Sequence, residues 1–101
     1  MKFQVHGPFA VARAGRLIAH KPSDQKDFWL QVDERRQGLP DACGCYMFLV
    51  GKRSWYVGLA MNQTFRREVF GSHKINLYND ALNSMKKRKA PDLVAGEMHA
   101  G

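Results

Sequence analysis

The chain has little that would carry it into or through a membrane. Its longest apolar runs, residues 45–50 and 55–61, fall far short of the roughly 20 residues that a spanning helix needs. The opening MKFQVHGPF has no apolar core of a secretory leader. The expectation is a soluble, cytoplasmic protein with no membrane partner. Cysteine is equally scarce. Cys43 and Cys45 are separated by one residue, and side chains that close on a strand cannot close an unstrained disulfide. Two thiols are also too few for a zinc site, so both are read as reduced. Acidic residues number 9 against 16 basic ones, a net charge of +7. The imbalance is uneven: residues 1–50 hold 7 basic and 5 acidic side chains, residues 51–101 hold 9 and 4. Such a field serves solubility, and it also favours a polyanion, nucleic acid first.

What is present is ordinary globular material. A length of 101 residues with 45% apolar and 25% charged side chains suits one domain around one modest core and argues against disorder. No repeat is visible, and the one biased stretch is Lys86-Lys87-Arg88-Lys89.

Along the chain, Phe3/Val5 and Phe9/Val11 alternate as short extended pieces do, and Ala14-Gly15 reads as a turn. Ser23 is a candidate cap for a helix over 24–37, with Asp24 and Asp27 early, Phe28, Trp29 and Val32 on one face, and Gly38 and Pro40 as the stop. Residues 45–50 are apolar on both faces, the mark of a central strand covered on both sides. A four-residue turn, 51–54, leads to a second strand at 55–59, which makes an antiparallel hairpin. Thr64 caps a short helix over 65–70. Ile75, Tyr78, Leu82 and Met85 then recur at helical spacing over 73–87. The tail has room for one short strand near 93–95. The fold class expected is α+β: a small antiparallel sheet of two to three strands flanked by helices near 24–37 and 65–87, as a single domain over 1–101 with an N-terminal extension (1–40) and a shortened C-terminus.

The hairpin sets two tyrosines side by side. Gly44-Cys45-Tyr46 and Tyr56-Val57-Gly58 resemble the paired tripeptides of the GIY-YIG nuclease family, with Cys45 and Val57 in the two variable places. Ala60, Asn62-Gln63-Thr64, Phe65-Arg66-Arg67-Glu68 and His73-Lys74 resemble the segment that follows in that family. The likeness spans about residues 44–82.

The resemblance implies hydrolysis of DNA phosphodiesters, an endonuclease using Mg2+ or Mn2+. Tyr46 or Tyr56 would activate the water, Arg66 would steady the charge developing on phosphate, and His73 would supply an imidazole. Arg67 replaces Arg66 if Gln63 or Thr64 is an insertion. Gly58 would let the backbone turn tightly beside the phosphate, and Arg67, Lys74, Lys52 and Arg53 would help to hold the nucleic acid, DNA before RNA. A tyrosine ionises near pH 10, so a base role at neutral pH requires cations to lower that value. Arg66, Arg67, Lys74 and the metal would have to supply them.

This sequence departs from the family at two places. Leu59 stands where some members carry lysine. The family's metal-binding glutamate sits on a late helix, and here the choice falls on Glu97, in a short tail, or Glu68. Each residue also has a structural explanation: core tyrosines, a solvated arginine face, His73 at a helix start, and the 86–89 cluster at the negative end of a helix. Two other functions follow from the same residues. One is a nucleic-acid-binding module of the same fold without catalysis. The other is a homodimeric interaction domain pairing through an exposed sheet edge.

Overall fold

The computed structural model describes residues 2–85 and 88–99. The elements are β1 (Lys2–Ala10), β2 (Arg13–Ala14), β3 (Leu17–Ile18), α1 (Pro22–Arg35), a 3-10 turn (Leu39–Asp41), β4 (Gly44–Val50), β5 (Arg53–Ala60), α2 (Phe65–Glu68), α3 (Ser72–Asn83) and β6 (Pro91–His99). The class is α+β as expected, but the main sheet has four strands rather than two or three. Its order is β1-β6-β4-β5, antiparallel throughout, and β2 and β3 form a separate small hairpin.

The tail is therefore no fragment. β6 runs nine residues and lies between β4 and β1. Residues 2–10, taken with an extension, supply the edge strand that covers it. The β4–β5 turn is also tighter than expected. Gly51 and Lys52 both take positive φ, 59° and 68°, the pattern of a two-residue hairpin loop that matches strand twist. Arg53 consequently pairs with Val50, and a bulge opposite Phe48/Leu49 absorbs the extra residue at Trp55.

Helix α1 starts earlier than its serine suggested. Lys21 is the cap residue and Pro22 opens the first turn, where a missing N–H costs nothing. The Asp24 carboxylate accepts the Lys21 N–H at 3.1 Å, so Ser23 lies inside the helix. Gly38, at φ 85°, ends the segment and donates its N–H to Asp33. Helix α3 stops at Asn83, short of the expected 87; Lys86 and Lys87 lie outside the described residues.

The helices cover one face of the sheet. Tyr46, Phe48 and Val50 of β4 point into that layer with Leu93 and Ala95 of β6, against Phe28, Trp29 and Val32 of α1 and Ile75, Tyr78 and Leu82 of α3. Phe48 stacks on Tyr78 with centroids 4.1 Å apart. Asn79 accepts the Ile18 N–H at 2.9 Å, tying β3 to α3. The other face, with Cys45, Met47 and Leu49, is only part-buried. β4 is central among strands, yet it is covered on one face, not two.

Candidate functional site

The hairpin brings the two expected tyrosines to the covered face. Tyr46 is buried and Tyr56 half-buried, with ring centroids 6.1 Å apart. Tyr78 of α3 closes the group, 6.3 Å from Tyr56, and donates its hydroxyl to the Val69 carbonyl at 2.7 Å. Gly58 lies across from Tyr46. A Cβ on Gly58 would run into the Tyr46 ring tip. The glycine thus makes room for a phenol, and it needs no positive φ of the kind a tight turn beside phosphate would use.

Glu68, at the end of α2, faces the same group. One of its oxygens lies 3.5 Å from the Tyr46 hydroxyl and 3.4 Å from the Lys74 ammonium. The other accepts the Gln63 amide at 3.0 Å. Lys74 also sits 5.3 Å above the Tyr56 ring, a cation–π distance. Its pKa is raised by hydrogen bonding with Tyr56 and by Glu68, against a lowering from burial.

The electrostatics run opposite to a general base. Burial, followed by the charges of Tyr56 and Glu68, pushes the Tyr46 phenol above its ordinary value of 10. Tyr78 is driven the same way by burial and by Tyr46. A cation was expected to lower the Tyr46 value, but the charges of Tyr56 and Glu68 act with burial to raise it. Arg66 is not in the group at all: its guanidinium forks onto Asp41, with Nε 3.1 Å and Nη2 3.5 Å from the carboxylate, and both side chains are exposed. Arg67 lines an open hollow of about 620 Å³ with Arg66, Asp41, Asn62, Gln63 and Thr64. His73 is exposed in the first turn of α3, and the helix start has no side-chain cap.

Neither proposed metal carboxylate has a donor set around it. Glu97 is on strand β6, not in a loose tail; it is buried, 3.1 Å from His6 Nε2 and 3.4 Å from Arg36 Nε. Glu68 is already held by Lys74 and Gln63, so a cation would have to displace an ammonium. Among the described residues no group of three or more His, Cys, Asp or Glu could hold a metal. The residues present do not fit Mg2+ or Mn2+, which bind through carboxylates left open to them.

A second cationic group gathers around Arg13, which sequence reasoning did not single out. Arg13 donates to the carbonyls of Gly15, Lys89 and Arg16 at 3.3, 2.9 and 3.0 Å. Arg88 donates to the same Gly15 oxygen at 2.9 Å. Burial and the Arg88 charge both lower the Arg13 pKa. Lys52 and Arg53 lie at the same end of the sheet, because Gly51 bonds to Ala90 and packs beside the Lys89 stem. They are therefore separated from Arg66 and Arg67, which follow the other end of β5, by the length of the hairpin. Arg88 and Lys89, expected at the negative end of α3, are engaged here with Gly15 and Gly51. Lys52, Arg53 and the 86–89 run stand out in the sequence, but the meeting of Arg88 with Arg13 does not, since the two come together only through the fold.

Compared with models of known families, with curated proteins and with solved structures, the chain matches none.

Proposed function

We propose that this chain binds nucleic acid through the phosphate backbone, as a domain of GIY-YIG type that holds phosphates without cutting them. The observation that carries this reading is the Arg13–Arg88 pair, two guanidiniums bonded to one carbonyl oxygen. Like charges so close repel, and a shared phosphate, with oxygens for both, relieves the repulsion through charge-assisted hydrogen bonds. Lys52, Arg53 and Lys89 extend the positive field at that end. At the other end of the hairpin, Arg67 lines the polar hollow beside the Arg66–Asp41 pair. The seven- and eight-residue strands between them run roughly 20–25 Å, the reach of several phosphates along one duplex strand. Duplex DNA is the partner proposed.

Three features support binding over hydrolysis: burial keeps the Tyr46 phenol protonated, Lys74 and Gln63 occupy Glu68, and Asp41 occupies Arg66. Hydrolysis is the second reading, favoured by the meeting of Tyr46, Tyr56 and Glu68 in one wall.

Titration of a labelled duplex at two salt concentrations tests the first reading. About four phosphate contacts give a slope near −3.6 in log affinity against log salt, roughly tenfold weaker binding when salt doubles. Arg88→Ala is expected to weaken binding and reduce the slope by about 1. Affinity indifferent to salt, or no binding, overturns it. Supercoiled plasmid incubated with Mn2+ is expected to stay intact; nicking that Tyr56→Phe abolishes would establish the second reading.

A further inference from the structure

We propose that two copies of this chain associate through the bare face of the sheet, each packing its strands against the other's as the two layers of a β-sandwich. The face opposite the helices is built from alternate residues of all four strands. Phe3 and Val5 of β1 are 56% and 65% exposed, and Val57 and Leu59 of β5 are 59% and 61% exposed. The register sets Met47 between Val57 and Val94, so the part-buried centre of the face is apolar as well. Asp92 is the one charged side chain paired into these outward rows among the described residues, and it lies at their end beside Ala10 and Leu49. No lysine or arginine interrupts the middle.

Size argues for a partner, and for a second copy in particular. The exposed fractions of Phe3, Val5, Val57 and Leu59, with the 39% exposed Trp55 and the part-buried centre, amount to roughly 600–700 Å² if large side chains present about 150–250 Å² each. A soluble monomer seldom leaves so much contiguous apolar surface in water. A stable dimer needs about 800 Å² from each partner, close to what this face supplies. A two-fold interface uses the same patch on both subunits, and two twisted sheets pack with interdigitating side chains about 10 Å apart. A phosphate backbone is excluded as the occupant, since the face offers it no cation. Arg67 belongs to α2 and Arg13 to the small hairpin tied to α3, both on the helix side of the sheet, so self-association does not depend on the nucleic-acid reading.

Sedimentation velocity or light scattering at rising protein concentration tests the proposal. The wild type is expected to reach twice its 11.5 kDa chain mass in the micromolar range. Val57→Glu is expected to return the protein to monomer, with dissociation at least tenfold easier and unchanged circular dichroism. Leu30→Glu, on α1 and 52% exposed, is expected to leave the dimer intact. Phe3→Lys, on the opposite edge of the face, gives the same readout if Val57→Glu does not fold. A wild type that stays monomeric overturns the proposal, as does a dimer that folded Val57→Glu and Phe3→Lys leave untouched, or one that Leu30→Glu weakens equally.

Discussion

The two faces of β4 carry almost the same chemistry and meet different fates. Tyr46, Phe48 and Val50 are buried at 0–1% exposure under the helices, while Cys45, Met47 and Leu49 alternate with them and stay half-open. Hydropathy reports that both faces avoid water; it does not say which layer will cover them. Within the described residues the chain supplies one helical layer and one sheet, enough for a single face. The remaining face stays part-exposed, and it is the face on which we propose that a second copy packs.

The comparison breaks first on large-to-small substitutions. Phe48→Ala removes the ring stacked on Tyr78 and is expected to cost about 3–5 kcal/mol. Met47→Ala, one residue away on the open face, is expected to cost less than about 1 kcal/mol at concentrations where the protein is monomeric. Urea unfolding of both checks this, and equal costs would remove the distinction between the faces. Next, Gly58→Ala puts a methyl where the Tyr46 ring tip lies and is expected to destabilise by about 1–3 kcal/mol. Leu59→Ala, pointing the other way, is expected to stay within about 0.5 kcal/mol at concentrations where the protein is monomeric.

A third test concerns the polar part of the covered face. Glu97→Gln removes a buried carboxylate from His6 and Arg36 and is expected to lower stability by about 1–2 kcal/mol, read from the denaturation midpoint at neutral pH. The smallest effect is on pH. Tyr46 and Tyr78 ionise above 10 in the folded state, chiefly through burial, whereas in the unfolded chain they ionise near 10. The unfolded state therefore binds fewer protons above that pH, and stability falls as pH rises from about 10 upward. The unfolding midpoint at pH 11 is expected below that at pH 9, with a shallower drop in Tyr46→Phe.

Local signals in the sequence carried the hairpin, the apolar faces of α1 and α3, and the placing of Tyr46 and Tyr56 on its adjacent strands. Alternation and flanking glycines are short-range information. The turn was shorter than it looked because Lys52 adopts a left-handed conformation that its residue type does not advertise. β1 and β6 were largely hidden: Lys2, Gln4 and His6 interrupt one, Asp92 and Glu97 the other, and each strand gains its logic only beside the other. The same holds for the site. Arg66 was legible as a candidate but its engagement by Asp41 was not, since Asp41 sits 25 residues earlier. Arg13 and Arg88 are separated by most of the chain, so their meeting is a product of topology alone.

That topology also governs how the chain can assemble. β1 pairs with β6 alone, Lys2 opposite His99, whereas β4 and β5 can zip together across two residues. During synthesis the hairpin can form as soon as it clears the ribosome, but the first strand has no seat until the last has docked against β4. Contacts between such distant segments carry the heaviest loop-closure penalty and slow folding. β1 therefore stays unpaired until β6 has docked against β4, and whatever shields it until then acts at the slowest step of the fold.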